Sequence, residues 1–449
     1  MDLIYRLLPT INQYAWGKSR EESLVYKLFE KNLKLLSGSG KVVNSDGPFS
    51  EFWFGAHQSS PSSVLPYDIT EITLISEDGS HKNVEYSASF DRSREPMSLS
   101  KLISRLYHNI LGIKDKELKI LFKVLSIQKP LSLQMHPDRE SALQLFNDKH
   151  HGIVDSSSKP EMCLPLTMFR ALCGFRDESE ILDLARKYPE FGECIDFPSL
   201  PSDKSSSFYV SLLRKLFFRS DLSDLVSRLA QRLKDLGSNE LVEEFFLILY
   251  DNYGSISSVL FPFVLNCFEL HPGEALFVPP NTLHSYISGD CIEIMKNSDN
   301  VIRCGLTPKF KDLDLCLALL EKKFKRARPE DYRVNPSRLT AFSLRYSPED
   351  PCCNFLLLSV TVGPGQKEKL TLPNNAYLCI VLESNPKVSL KLSMSPSDKE
   401  DATKNGSHSI YHVLRVVSGD CLLIVPNTEL HIHNDHEAHQ LTMYLSSEK

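Results

Sequence analysis

The sequence predicts a mainly β protein with two related β-barrels in one chain and a helical segment inserted into the first. Three observations carry this expectation. Strand-sized apolar runs between turn-rich clusters fill both ends of the chain. One middle stretch instead spaces its apolar residues as a helix does. Finally, the stretch Gly273-Glu274-Ala275-Leu276-Phe277-Val278-Pro279-Pro280-Asn281-Thr282-Leu283-His284 returns in altered form from Gly419 to His431, with Pro426-Asn427-Thr428 at its turn. A repeated Gly, strand, Pro-Asn turn and His implies two copies of one β unit.

Residues 1–165 read as strands and turns, punctuated by Ser37-Gly38-Ser39-Gly40 and Asn44-Ser45-Asp46-Gly47-Pro48. Within them Ile120 to Ile127 is an apolar run suited to a buried strand. The polar, serine-rich stretch 68–98 reads as a surface insertion. The texture changes near 176: Glu178 to Lys187 and Ser205 to Tyr250 carry apolar residues such as Leu212, Leu213, Leu216 and Phe217 at helical spacing. Strands resume near 258, a short helix is expected from Leu313 to Arg326, and strands and turns follow from about 335. The expected division is a discontinuous first barrel (1–165 and 258–330), a helical domain (166–257) and a C-terminal barrel (331–449).

Composition narrows the function. A chain of 449 residues is too long for one ordinary core, and 42% hydrophobic with 24% charged residues fits a soluble globular protein. The net charge of -6 supplies no basic excess for nucleic acid, though it leaves room for a local pocket for one small phosphate. The eleven cysteines show no framework spacing, and the adjacent Cys352 and Cys353 rarely bridge one another in such a pair; reduced thiols are expected. The opening residues lack a basic-then-apolar secretory layout, and no apolar run reaches membrane-spanning length. The expectation is a cytoplasmic monomer with no membrane partner.

Several polar residues form a metal-ligand set. The spacing Gly273, Pro279, Asn281, His284 is close to the second signature motif of cupins, with Asn281 where Gly usually stands. Asn tolerates positive φ, so the turn survives the exchange. Gln134 and His136 are two apart and would share one face of a strand. Glu161 lies in Ser158-Lys159-Pro160-Glu161-Met162. An amide oxygen, two imidazoles and a carboxylate suit zinc with an open coordination position. The C-terminal run His431 to His439 is rich in possible ligands too, but it reads as a solvated loop because no Gln-x-His strand accompanies it.

These motifs, in this order, resemble the type I phosphomannose isomerases. The likeness begins with Asn12-Gln13-Tyr14-Ala15-Trp16-Gly17 and Glu51-Phe52-Trp53-Phe54-Gly55-Ala56-His57. It continues through Leu131 to Asp138, Lys159-Pro160-Glu161-Met162 and Ala171 to Arg176, and runs longest from Pro272 to Asp312. The resemblance implies two cupin-type jelly-roll barrels with an inserted α-helical domain. It also implies one Zn2+ per chain on Gln134, His136, Glu161 and His284, and a sugar phosphate as partner. Arg303, Lys159 and Glu293 would be catalytic; Ser132, Lys123, Lys309 and Tyr286 would meet the substrate. Glu293 or a metal-bound hydroxide would move the proton. The implied reaction is aldose–ketose interconversion of mannose 6-phosphate and fructose 6-phosphate through a cis-enediol, supplying mannose phosphates for GDP-mannose and glycosylation.

Two departures stand out. Ser157-Ser158 replace the family's Asn-His before Lys-Pro-Glu, and Lys296-Asn297 replace small residues before Ser298-Asp299-Asn300. They motivate an alternative, a diverged non-catalytic sugar-phosphate-binding cupin. An iron oxygenase on the same scaffold would not need Gln134, and a storage protein would not need Arg303 and Lys309.

Overall fold

Strands dominate the chain and every strand pairing among the described residues is antiparallel, in sheets of eleven, nine and six strands. The computed structural model describes residues 3–36, 46–65, 71–75, 81–85, 97–106, 117–201, 206–237, 240–384, 387–394 and 409–449.

The eleven-stranded sheet carries the predicted site. Its axis is the long strand His284–Lys296. The second half of this strand lies between Ile120–Ile127 on one side and Glu161–Pro165 on the other. The first half pairs with Phe169–Phe175 and with Leu133–Met135. The halves meet at Gly289, where φ is +113° and a Cβ would fall 2.5 Å from the Met168 carbonyl oxygen. Only glycine fits so close an approach at that φ. The bend lets one strand serve two sets of partners.

The sheet packs on both faces. Phe122, Val124, Met162, Leu164, Ile292 and Ile294 share one core with Leu357, Val360, Leu378, Leu422 and Ile424 of the C-terminal sheets. On the other face Leu125, Cys163, Phe169, Ala171, Leu276, Tyr286 and Cys291 form a smaller cluster around the predicted site.

Helices Glu178–Lys187, Ser206–Phe218, Ser223–Leu236 and Leu241–Tyr253 lie where helical spacing placed them, and a further short helix, Pro189–Ile195, falls between the two stretches so read. Asp177 caps the first of them in a capping box with Glu180. They pack with the Leu313–Lys323 helix around Phe263, whose ring meets Tyr188, Phe191 and Phe246 at 5.1, 4.9 and 5.6 Å.

The structure differs from the sequence reading in five places. Phe169–Phe175, inside the segment assigned to helices, is a strand of the site-bearing sheet. Ser257–Phe263, read as returning strand, is a 3-10 helix, and the strand starts at Leu265. The first 165 residues also hold helices, Leu24–Leu36, Leu99–Leu106 and Arg139–Asn147. Their signals are short: Val25, Leu28 and Phe29 after the Ser23 hydroxyl, which accepts from the Tyr26 amide at 3.1 Å, and Asp138 capping the Ser141 amide at 2.8 Å. Ile4–Leu8 pairs with Cys421–Ile424, so the start of the chain joins a C-terminal sheet. The stretch 68–98, read as a surface insertion, contributes the hairpin Glu71–Ile75 and His81–Glu85, which extends the six-stranded sheet beside Ser409–Arg415. Its remaining part, other than Met97–Ser98, lies outside the described residues.

Candidate metal centre and active site

Two turns clip the imidazoles in place. Asn281 adopts φ +60°, as its substitution for glycine requires. Its amide N–H donates to the His136 carbonyl at 2.7 Å. Its side chain pairs with Asp138, donating to Oδ2 at 2.9 Å and accepting from the Asp138 amide at 3.1 Å. The turn that launches His284 thereby also fixes the segment carrying His136.

His136 Nδ1 lies 2.7 Å from the Asn300 carbonyl oxygen, and His284 Nδ1 lies 3.0 Å from that of Thr282. A carbonyl only accepts, so each Nδ1 carries the proton and each Nε2 presents a lone pair. Both lone pairs face Glu161, at 3.2 Å from Oε1 for His136 and 3.5 Å from Oε2 for His284. All three side chains are buried. Neither Nε2 nor Glu161 Oε2 has a hydrogen-bond partner. Lone pairs facing a buried carboxylate repel unless a cation sits between them. The three ligand atoms lie within 4.8 Å of one another, so the donor set fits a zinc-like ion.

Electrostatics support a neutral-imidazole, carboxylate set. Burial, then the Lys159 charge, pushes His136 down to about 4. Burial would raise Glu161, but Lys159 at 3.1 Å and the imidazoles hold its carboxyl well below the usual range.

Strand register gathers further residues. Gln134 stands opposite His284 on one side and Arg303 on the other. Directly opposed residues of antiparallel strands project to one face, so Gln134, His284 and Arg303 share a side. Across the second half of the long strand, Cys163, Glu293, Lys123 and Trp53 form one such row. Lys123 Nζ bonds Glu293 Oε2 at 2.8 Å and lies 4.8 Å from the Trp53 ring centre. Trp53 Nε1 donates to Glu51 Oε2 at 2.6 Å. Burial opposes the Lys123 charge, yet Glu293, Glu51 and Glu161 hold its pKa above the ordinary lysine value. Burial raises Glu293.

The other predicted residues fall as follows. Tyr286 is buried, its ring 5.3 Å from Phe169 and 6.1 Å from His284. Ser132 is half-buried just before Leu133–Met135. Lys309 lies on an exposed turn after Ile302–Gly305. Sequence reasoning missed Glu51, and it missed His57, whose Nε2 lies 3.3 Å from Asp299 Oδ1. Trp53 is buried with Leu121 and Met295 and at the same time joins the charged row. Each missed residue stood in a quoted motif, and only its placement shows what it touches. The repeat's second copy keeps its geometry, with Asn427 at φ +57° and Gly419 at +91° beside +93° for Gly273. Its His431, however, is a quarter exposed and near Glu429 rather than in a buried ligand cluster.

A mainly β protein with a buried His–Glu–His cluster beside an arginine and a lysine–glutamate pair belongs to the class of metal-binding β-sheet enzymes. Residues 4–178 match the phosphomannose isomerase type I catalytic domain. The chain is 32% identical over 377 residues to a probable mannose-6-phosphate isomerase of Dictyostelium discoideum, covering 80% of each chain. It is 34% identical over 367 residues to mannose-6-phosphate isomerase 2 of Arabidopsis thaliana, covering 77% of this chain and 76% of that one. A solved structure of mannose 6-phosphate isomerase from Salmonella typhimurium, bound to fructose 6-phosphate and zinc, superposes with a TM-score of 0.70 at 21% identity over 99% of both chains, a likeness of fold. The chain belongs to the type I phosphomannose isomerase family.

Proposed function

We propose that the protein interconverts mannose 6-phosphate and fructose 6-phosphate, with one zinc ion per chain held by Gln134, His136, Glu161 and His284. The observation that carries this reading is the convergence of buried, unpartnered ligand atoms of His136, Glu161 and His284, with Arg303 one strand beyond Gln134. When bound, the ion would act as a Lewis acid toward the sugar's carbonyl and hydroxyl oxygens.

The remaining work falls to side chains. Arg303 offers a fixed charge and a planar donor fork, suited to the oxygens on which charge grows as a cis-enediol forms. Lys159, held against Glu161, would shuttle the proton that opens the sugar ring. Glu293, raised by burial, would move the proton between C1 and C2. Lys123, bonded to Glu293, would keep that carboxylate in place and add positive charge toward the phosphate. Ser132 and Lys309 would take the phosphate itself, and Tyr286 would pack beside the sugar. We also read the architecture as two cupin-type jelly rolls with an inserted helical domain, in a cytoplasmic monomer that feeds GDP-mannose synthesis. No helix among the described residues is long and apolar enough to cross a membrane.

The test is a coupled assay for fructose 6-phosphate on purified protein, with zinc measured in the same sample. Arg303→Ala should lower kcat by about 10²-fold or more with bound zinc unchanged. Sugar-phosphate binding without turnover in the wild type would favour the non-catalytic alternative.

A further inference from the structure

The loop that carries Lys309 is closed at its neck and held on two sides. It leaves the strand Ile302–Gly305 and returns where the Asp312 amide donates to the Arg303 carbonyl at 3.0 Å. On one side the Leu306 amide donates to the buried Ser258 hydroxyl at 3.1 Å, and a Cβ on Gly305 would fall 2.6 Å from the Ser258 Cβ. On the other side the loop meets two consecutive histidines. The Phe310 ring stands edge-on to His151, 4.9 Å between centres, and Asp312 Oδ2 lies 3.6 Å from His150 Nε2. Phe310 is 62% exposed, so burial does little to fix it and the ring contact counts for more.

The segment that begins with these histidines also reaches the metal centre. The Val154 and Asp155 amides donate to Asn300 Oδ1 at 2.9 and 3.2 Å, and Asn300 Nδ2 donates to the Asp155 carbonyl at 2.8 Å. Asn300 is fully buried, and its own carbonyl accepts from His136 Nδ1 at 2.7 Å. One end of the segment 150–155 is thus bonded through Asn300 to a metal ligand. The other end bears on the loop of Lys309.

We propose that His150 and His151 are positioning residues that set the span between the metal centre and Lys309, and so select the length of the sugar phosphate. This rests on the reading above, in which Lys309 takes the phosphate while the metal centre takes the carbonyl end. Two grips at a fixed spacing keep a substrate of matching length in register. A sugar phosphate one carbon shorter engages them less well together, and the discrimination is the difference in binding. Loosening the loop of Lys309 costs the matching substrate more than the shorter one.

Steady-state kinetics of the zinc-loaded, full-length protein test this. Mannose 6-phosphate is the substrate, and arabinose 5-phosphate, shorter by one carbon, is the competitive inhibitor. His151→Ala and Phe310→Ala should each raise KM about threefold to tenfold, with kcat within about twofold and bound zinc unchanged. His150→Ala should act in the same direction. The inhibition constant of arabinose 5-phosphate should rise less than KM does. Both ring side chains are exposed, so the variants should fold, and melting temperatures check this. The two alanine changes remove one contact, so the double variant should match either single one. His151→Phe, which keeps a ring, should restore the wild-type KM.

Additive effects in the double variant overturn the contact, as does a His151→Phe variant no better than His151→Ala. Equal rises in KM and in the inhibition constant overturn length selection. Zinc lost from these variants would make the histidines supports of the metal centre and overturn the assigned role. Lys309→Ala separates this inference from the reading beneath it. Unchanged KM there means that Lys309 does not take the phosphate, and that reading fails. A raised KM there with none in Phe310→Ala means that the span alone fails. If the wild type shows no turnover, the proposed function fails, and calorimetric titration of the same two sugar phosphates still reads the span.

Discussion

Asn281 shows how much one residue can hold. Its φ of +60° launches His284, its amide caps the His136 carbonyl, and its side chain grips Asp138. Asn281→Ala loses the side-chain grip and strains the left-handed turn, costing about 1 kcal/mol or more. Because it loosens both imidazole-bearing segments, zinc affinity should fall by roughly 10- to 100-fold, read by competition with a chromogenic chelator. Asn281→Gly keeps the turn and loses only the grip, so it should fall between alanine and wild type. Unaltered zinc affinity in both variants would show that the turn holds neither ligand. The Gly-to-Asn exchange was legible in the sequence because both residues enter the same region of φ. The partnership with Asp138 was not, since 143 positions separate the pair.

At the scale of elements, the helical segment is held by side chains as well as by its core. Arg232 donates two bonds to Glu190, at 2.8 and 2.7 Å, joining helix Ser223–Leu236 to helix Pro189–Ile195. Burial alone would raise the Glu190 carboxyl, but the Arg232 fork outweighs it and holds the pKa below the ordinary value of 4.5. A carboxyl depressed on folding stabilises the fold above its unfolded pKa, and that contribution is lost as pH falls through the depressed value. Glu190→Gln should therefore destabilise the protein by about 1 kcal/mol at pH 7, and the difference from wild type should vanish toward pH 3. Urea titrations at the two pH values check this; a difference that persists in acid would point to shape rather than charge. Helical periodicity identified the stretch that holds Ser223–Leu236 but not Pro189–Ile195, a helix of seven residues that begins at a proline. It failed for Leu24–Leu36 and Leu99–Leu106, where the apolar spacing is brief and turn-rich sequence surrounds it. It also missed Phe169–Phe175, because the strand borders the helical stretch in sequence while its partners Leu265–Leu270 and His284–Lys296 lie far along the chain.

The molecule as a whole is tied together by a core that no single segment owns. Residues from Leu3 to Leu445 contribute to it, and one face of the site-bearing sheet packs there against the C-terminal sheets. The ligand cluster sits on the opposite face, inside folded structure. An ion bound only by the native state adds stability as RT ln(1 + [L]/Kd), about 4 kcal/mol at a thousandfold excess over Kd. Removing zinc with a chelator should lower Tm by several degrees, and adding zinc back should restore it, as scanning calorimetry would record. A Tm indifferent to chelator would mean that no ion bridges His136, Glu161 and His284 in the folded protein.

The sequence by itself determined the mainly β class, the helical stretch, the repeated turn and the identity of the ligand-type residues. Those signals are local: periodicity, turn chemistry and motif spacing act within a few residues of one another. Tertiary structure alone decided that Ile4–Leu8 joins a C-terminal sheet, that Lys123 is bonded to Glu293, that Trp53 belongs to a charged row, and that Lys296 lies on the face opposite Glu293. Each of these depends on strand register across long stretches of chain, and a shift of one residue turns a side chain to the opposite face.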